Sequence, residues 1–194
     1  MKNISVLLFL LITLALNAQN NKTSGLNARQ FHKYWKVESE SPDYKVTFLG
    51  DTVEILSPKG LTLWRKEKMS GKVTIEYDAC VVVEVEGDRL SDLNCFWMAS
   101  DPQYPDNIWK REKWRSGIFL NCYSLQLYYM GYGGNHNSTT RFRRYDGNEA
   151  AITNAKARPA ILKEYTDADH LLEANKWYHI KITNENNRVS YYIN

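Results

Sequence analysis

Strand-like apolar segments recur at short intervals along this chain, and none of them continues into a helical period. The longest covers residues 72–86, where apolar side chains alternate with polar ones before a β-branched run at residues 81–83. Such a run is typical of a strand that is covered on both faces. Short strands with turn residues between them indicate a sandwich or a barrel. We therefore predict an all-β fold, a two-sheet antiparallel jelly-roll sandwich with almost no helix.

Further strands are predicted at residues 46–48, 53–56, 61–65, 93–99, 118–122, 125–132, 139–145, 177–183 and 189–193. Turn residues such as those at 50–51 and 58–60 separate several of them. Only the piece around residues 167–174 is expected to form a helical turn. The last two strands form a predicted hairpin that is still in progress at Asn194.

The first residues have the order of a secretory signal peptide. Lys2 precedes an apolar run at residues 4–12, and small residues follow at Ala15 and Ala18. The run is shorter than the roughly 20 apolar residues that span a bilayer. We predict a signal peptide at residues 1–18, a polar segment at 19–27 and one domain at 28–194. The protein is then exported, to the periplasm or the cell exterior, with no membrane span.

Length and charge limit the class of partner. A chain of 194 residues fits a single domain once a leader is removed. Lys and Arg number 25 against 22 Asp and Glu, so the net charge is only +3, and both signs are interspersed. No basic face indicates a nucleic acid partner. We expect a monomer.

The cysteines give no metal or disulfide framework. Three are present, at positions 80, 95 and 122, so they cannot all pair within one chain. We interpret them as small buried hydrophobic residues with one optional pair. Their spacing matches no zinc motif, and no cofactor is predicted. A structural calcium ion at a sheet edge is compatible with this fold class, although no Asp-rich ligand loop is present.

Aromatic residues are frequent, with 13 Tyr, 6 Trp and 6 Phe, and many stand beside amides and charges. Aromatic rings match the C–H faces of sugars, while guanidinium groups bind carboxylates. The same residues are also common in an ordinary β-sheet core, so both interpretations stay open. The most distinctive stretch, residues 128–147, is a strand, a glycine-containing loop and a strand rich in arginine.

Period-2 alternation sorts the side chains of these strands into faces. Applied to residues 91–102 and 128–147, it predicts one concave face that carries Asp92, Asn94, Gln126, Tyr128, Arg141 and Arg143, with His136 at its rim. Tyr132, Asn135 and Tyr145 adjoin this set and complete the predicted substrate contacts. A purely structural network, in which Asp92 pairs with Arg141 or Arg143, would also satisfy these polar groups.

Residues 91–102 and 128–147 resemble the signature segments of a family of exported bacterial domains that carries only an unknown-function label. The resemblance runs from about Tyr34 to the end of the chain. It implies a concanavalin A-like fold and an association with polysaccharide degradation, but it supplies no established catalytic residues. Concanavalin-like proteins continue beyond such a terminal hairpin, so the resemblance also implies that a closing strand is missing after Asn194.

Three functions follow from different classes. A polysaccharide lyase acting on a uronate glycan needs a group that neutralises the carboxylate, a base and an acid. Arg141, Arg143, Asn94 and Gln126 suit the first role, and His136, Tyr128 and Tyr132 suit proton transfer. A non-catalytic carbohydrate-binding module would use the same aromatic and polar residues without a base.

A glycoside hydrolase is the least favoured alternative. It needs two carboxylates, and retaining concanavalin-like hydrolases carry Glu-x-Asp-x-x-Glu on one strand. Glu76 and Asp78 match the first two positions, but Val81 stands where the second Glu is required. We therefore favour the lyase, with a polysaccharide or oligosaccharide as the partner.

Overall fold

The computed structural model describes residues 28–194 and the strand Val6–Leu11. The polar segment predicted at residues 19–27 and the cleavage point predicted at Ala18 lie outside the described residues. Within the described ranges, no helix combines the length and the apolar character needed to cross a membrane.

The described residues form twelve strands. In chain order they are β1 Val6–Leu11, β2 Trp35–Ser39, β3 Lys45–Leu49, β4 Thr52–Ser57, β5 Leu61–Arg65, β6 Val73–Val82, β7 Leu93–Ser100, β8 Gln126–Gly133, β9 Thr139–Asp146, β10 Ile161–Tyr165, β11 Trp177–Glu185 and β12 Arg188–Ile193. The predicted strands agree with these bounds to within two residues, with two exceptions: the strand predicted at residues 72–86 ends at Val82, and residues 118–122 form no strand.

Helical segments are short but more numerous than the sequence predicts. They are Ala28–Tyr34, Ile108–Arg111, Glu112–Arg115, Phe119–Ser124, Gly134–Asn137, Ala150–Thr153, Ala155–Ala157 and Ala168–His170. The last falls where a helical turn is predicted. The strand predicted at residues 118–122 is wrong, because Phe119–Ser124 is a 3-10 helix that buries Cys122 and Tyr123 against a sheet instead of joining one.

The strands form three sheets, and all their pairings are antiparallel. The largest has six strands in the order β12-β11-β6-β1-β4-β3. A second has the order β10-β9-β8-β7, and the third is the pair β2-β5. This arrangement confirms a sandwich of antiparallel sheets.

The core lies between the six-stranded sheet and the two smaller sheets. One apolar cluster joins Ile180 and Ala79 of the large sheet to Trp97 and Tyr132 of the four-stranded sheet. A second joins the β3–β4 end of the large sheet to apolar side chains of β2 and β5. The two smaller sheets make contact where Trp64 of β5 stacks on Phe96 of β7, at 5.9 Å between ring centroids.

Strand β1 falls within the predicted signal peptide. It lies between β4 and β6 and pairs with both, so that Leu8 stands opposite Ile55 and Val81. A six-residue apolar run can form a strand covered on both faces as readily as the core of a leader. The signal peptide therefore stays a prediction.

All three cysteines are free. Burial raises the pKa of the Cys95 thiol to about 11 and that of Cys122 to about 12, and it also raises the pKa of Cys80. The thiols therefore stay protonated near neutral pH and are weak nucleophiles. Their packing role agrees with the interpretation as buried hydrophobic residues, and the optional disulfide is not formed.

A buried ion pair ties the helical segments to the two-stranded sheet. Arg115 is fully buried, and its Nε and Nη2 donate to the two carboxylate oxygens of Glu38 at 3.2 and 2.7 Å. Its Nη1 donates to the carbonyl of Ile108 at 2.9 Å. Two charges removed from water in this way are stable only together, because each satisfies the other.

Replacing Arg115 with Leu should lower the free energy of unfolding by about 3–5 kcal/mol, because the Glu38 carboxylate is left buried without its partner. The measurement is urea denaturation. The exposed neighbour Lys113→Leu is the matched control and should change the value by less than about 0.5 kcal/mol. Adding Glu38→Leu to Arg115→Leu should restore part of the loss, and a double variant weaker than the single one would contradict this account.

Alkaline pH should destabilise the fold through its buried tyrosines. Burial raises the pKa of Tyr132 to about 12, whereas an unfolded tyrosine titrates near 10. Above about pH 10 the unfolded chain binds fewer protons than the folded one, so the free energy of unfolding should fall between about pH 10 and pH 12. Tyr132→Phe should make this fall shallower in denaturation measured across that range, and Tyr192→Phe, at a 56% exposed position, should leave it unchanged.

Candidate functional site

The pairing of β7, β8 and β9 decides which side chains share a face of the four-stranded sheet. Residues directly opposite one another in antiparallel strands project to the same side. Asn94, Gly131 and Arg141 form one such row across the three strands. Phe96, Tyr129 and Arg143 form the next. These two rows lie on the outer face, away from the six-stranded sheet, and we call them the outer-face cluster.

Tyr128 and Gln126 do not belong to this cluster, contrary to the sequence prediction. Tyr128 lies opposite Trp97 and Arg144, and Gln126 lies opposite Ser100 and Asp146. Alternation within each strand was assigned correctly, but the phase between β8 and β9 puts Tyr129, not Tyr128, beside Arg143. A shift of one residue moves every side chain to the other face.

The inner-face tyrosines are packing residues. Tyr128 packs with Trp97 and Phe142 in a three-ring cluster, in which the ring centroids are 5.8–5.9 Å apart. Tyr132 is 4% exposed, and its hydroxyl donates to the carbonyl of Leu171 at 3.3 Å. Both therefore face the six-stranded sheet rather than the arginines.

Tyr145 lies on the outer face, in the same strand as Arg141 and Arg143, but it is buried. Its ring packs on Tyr123 at 4.8 Å and on Tyr129 at 5.5 Å between centroids. It is only 1% exposed, beneath the helical segments. The predicted contact of Tyr145 with a substrate therefore has no open surface in this structure.

Tyr129 is the residue of the outer-face cluster that the sequence analysis missed. Its hydroxyl donates to the Oδ1 of Asn94 at 3.0 Å. The ring crosses the backbone of Gly131, where an added Cβ would stand 2.1 Å from the hydroxyl oxygen. Burial raises the pKa of this phenol, with the nearby Asp92 carboxylate adding to the effect and Arg143 and Arg141 opposing it. The hydroxyl therefore stays protonated at neutral pH and donates its hydrogen bond to Asn94.

The two arginines of the cluster have separate partners. Arg141 Nε donates to Glu164 Oε1 of β10 at 2.5 Å, in a pair whose side chains are about one third exposed. Arg143 donates through Nη1 to the carbonyl of Pro159. Each guanidinium carries five N–H donors, and these contacts use one of them in each residue.

Asp92 is held elsewhere. It pairs with Arg89 and has a positive φ of 66°, just before β7 begins. The structural network in which Asp92 pairs with Arg141 or Arg143 is therefore not formed. Asp92 nevertheless lies near enough to raise the pKa of Tyr129, so it borders the cluster.

The loop between β8 and β9 is fixed at one point and exposed at its tip. The side chain of Asn137 makes two hydrogen bonds of 2.8 Å with the backbone of Leu172. Asn135, which bonds only to Ser138, and His136 are exposed, with left-handed φ values of 52° and 58°. His136 has no hydrogen bond or ion pair to any residue that the structure describes. The predicted approach of His136 to the arginines is thus not seen as a contact.

The ring of Phe119, which we call the aromatic wall, borders the outer-face cluster. Phe119 contacts the Tyr129 ring edge-on at 5.6 Å and the Phe96 ring at 6.2 Å between centroids. It is 36% exposed, so part of its surface faces solvent next to the polar row. The sequence analysis missed Phe119 because its segment reads as a strand. The one sequence signal for Tyr129 was Gly131, which follows it by two residues and therefore lies on the same face of β8.

The described residues contain no group of three or more His, Cys, Asp or Glu side chains placed to hold a metal ion. What the cluster offers instead is two cations, an amide and a phenol, with the partly exposed ring of Phe119 packed beside them. These groups can donate hydrogen bonds to an anionic or hydroxyl-rich ligand.

Comparison with known proteins adds a family. A family model described as "Domain of unknown function (DUF6250)" matches residues 55–194, from within β4 to beyond β12. No curated protein matches the chain, and no solved structure does so either. The matched residues contain the whole outer-face cluster and its aromatic wall. Because the match covers well over half of the 194 residues, the chain belongs to the DUF6250 family of domains of unknown function.

Proposed function

We propose that this domain binds an acidic carbohydrate on the outer-face cluster. The observation that carries the proposal is the pair of guanidinium groups, Arg141 and Arg143, on one half-exposed face that also carries Tyr129, against which the partly exposed ring of Phe119 packs. A uronate sugar presents a carboxylate and an apolar C–H face within a few ångströms of each other. The cluster offers a complement to both.

Charge favours the carboxylate as the anchored group. Arginine binds carboxylates through parallel N–H donors, and such charge-assisted bonds are stronger than neutral ones. Glu164 already occupies Arg141 Nε, so a ligand would use the remaining donors or share them with Glu164. The Asn94 amide can donate to a sugar hydroxyl while its Oδ1 accepts from Tyr129.

A polysaccharide lyase is the second candidate, and one observation favours it. Tyr129 stands opposite Arg143, and its hydroxyl reaches Asn94, which belongs to the row of Arg141. The phenol is therefore next to both arginines. In β-elimination the arginines would neutralise the uronate carboxylate and the phenol would protonate the leaving oxygen. The base is then His136, which needs movement of its loop. Tyr128 is not assigned a role because it lies on the opposite face.

The hydrolase alternative gains nothing from the structure. Glu76 pairs with Lys181 and Asp78 pairs with His179, each at 2.8 Å, on the six-stranded sheet. Neither carboxylate is paired with a residue of the outer-face cluster.

The proposed topology, export and oligomeric state agree with carbohydrate binding. We propose a concanavalin-like jelly-roll topology, export after removal of residues 1–18, association with polysaccharide degradation, and a monomer. The support is the antiparallel sandwich, the order of the first residues and the near balance of charge. No cofactor takes part in the proposed binding, and a calcium ion would have a structural role only.

Arg141→Ala and Arg143→Ala should each weaken binding of a uronate oligosaccharide about 10- to 150-fold, because each removes charge-assisted hydrogen bonds worth about 1.5–3 kcal/mol. Isothermal titration calorimetry measures the change. Arg144→Ala is the matched control, since this exposed neighbour stands opposite Tyr128 on the other face, and it should change affinity less than about twofold. Equal losses in all three variants would show that general charge, not this face, binds the sugar.

A second experiment separates lyase from binding module. If the domain is a lyase, the wild-type protein forms the ultraviolet-absorbing unsaturated product, and Tyr129→Phe should lower kcat about 10²- to 10⁴-fold while uronate affinity changes little. Tyr128→Phe is the matched control and should retain activity. If the wild-type protein binds a panel of uronate polysaccharides but forms no product from any of them, the lyase hypothesis is rejected and the binding module is retained.

A further inference from the structure

A half-open cavity of about 510 Å³ lies at the end of the sandwich where the β11–β12 hairpin turns. Met98 and Tyr128 line it from the four-stranded sheet, and Asn184 and Val189 line it from the six-stranded sheet. Its volume falls within the range of about 300–1,000 Å³ that is typical of small-molecule sites. Tyr128 faces the six-stranded sheet, so the cavity and the outer-face cluster lie on opposite sides of the four-stranded sheet.

Asn184 interrupts an apolar pattern at the wall of this cavity. The residues Tyr178, Ile180 and Ile182 of β11 are buried and face the four-stranded sheet. Alternation makes Asn184 the next inward position, opposite Val189 of β12. The side-chain amide of Asn184 has no hydrogen-bond partner among the residues that the structure describes. Its donor and acceptor are therefore available to a molecule in the cavity.

Met98 reaches the cavity because of a β-bulge. Regular alternation along β7 would put Met98 on the outer face with Asn94 and Phe96. The register of β7 on β8 shifts after Trp97, however, and Met98 adopts a φ of 55°, which few residues other than glycine adopt. Bulges re-aim side chains in this way next to binding sites. Met98 is 53% exposed and lines the cavity together with Tyr128.

The lining favours a neutral ligand that is rich in hydroxyl groups. Its two charged side chains, Lys72 and Glu185, have opposite signs and lie 3.9 Å apart. The Tyr128 hydroxyl, like the Asn184 amide, has no hydrogen bond to a residue within the described ranges. Both groups can donate and accept, as a sugar hydroxyl also does. The Tyr128 ring and the Met98 thioether add apolar surface that suits the C–H face of a sugar.

We propose that this cavity binds a neutral sugar unit, with Tyr128 and Met98 against its C–H face and the Asn184 amide on its hydroxyl groups. The site is separate from the one proposed for an acidic sugar on the outer-face cluster and does not depend on it. The two sites differ in the charge of the ligand, because the cavity offers no unpaired cation in its lining.

The test uses the full chain and a panel of neutral disaccharides of glucose, galactose, mannose and xylose at millimolar concentration. Isothermal titration calorimetry should show that the wild-type protein binds at least one of them. Asn184→Leu keeps the size of the side chain but removes its amide, and it should weaken that binding at least about tenfold. Its Tm should not fall, since the amide bonds to no described residue. Thr183→Val, one residue away on the outward side of β11, is the matched control and should change affinity less than about twofold.

Met98→Gly gives an independent measurement. Glycine relieves the positive φ, so the Tm should stay close to the wild-type value or rise, while affinity should fall at least about fourfold because the thioether contact is lost. Arg143→Ala separates the two proposed sites, because it should weaken uronate binding and leave disaccharide binding unchanged. Failure of every disaccharide to bind, wild-type affinity in both cavity variants, or an equal loss in Arg143→Ala would overturn the proposal.

Discussion

The buried pair of Arg115 and Glu38 fixes the part of the chain that has no sheet of its own. Residues 101–124 carry the aromatic wall of the site, yet they contain only short helical turns. At one point this segment is attached to β2, where the Arg115 guanidinium binds the Glu38 carboxylate. The other is held where Arg111 bonds to both oxygens of the fully buried Asp101, at 2.8 Å each, and also pairs with Glu149.

Close backbone contact reinforces these charges. Gly117 has a φ of 72°, and an added Cβ would stand 2.6 Å from the carbonyl oxygen of Glu38. A glycine is therefore required at the point where the segment crosses β2. Phe119 follows two residues later, so its place beside Tyr129 depends on this crossing and on the ion pair. The position of Phe119 beside the cluster is thus set by contacts made outside the four-stranded sheet.

A strand could be predicted from the sequence where apolar residues mark its buried positions and turn residues flank it. β5 was placed at residues 61–65 as found, because it combines apolar residues with flanking turn signals. β10 was missed because four of its five residues are exposed and its sequence shows no alternation. Residues 118–122 were misread because apolar residues that cover a sheet look the same as those that form one. The β-bulge after Trp97, with Met98 at a φ of 55°, has no sequence signal either.

The site was half predictable for a related reason. Arg141 and Arg143 share a face because alternation within a strand is fixed by geometry, and Asn94 joins them through the register of β7 and β9 with Gly131 of β8. The phase between two strands depends on the hairpin loop, and the left-handed residues at 135–137 were not foreseeable from composition. Only the strand register therefore distinguishes Tyr129 from Tyr128 as the neighbour of Arg143. Ion-pair partners, such as Glu164 for Arg141, depend on the same cross-strand phase.

Gly131 gives the cluster a steric signature. The Tyr129 hydroxyl can reach Asn94 only by passing over a backbone that bears no side chain, so the hydrogen bond and a Cβ at position 131 exclude each other. A related chain with any other residue at this place must turn the phenol elsewhere and lose the link between β7 and β8 side chains. The identity of one residue that touches no ligand thus distinguishes domains that keep this arrangement from those that have abandoned it.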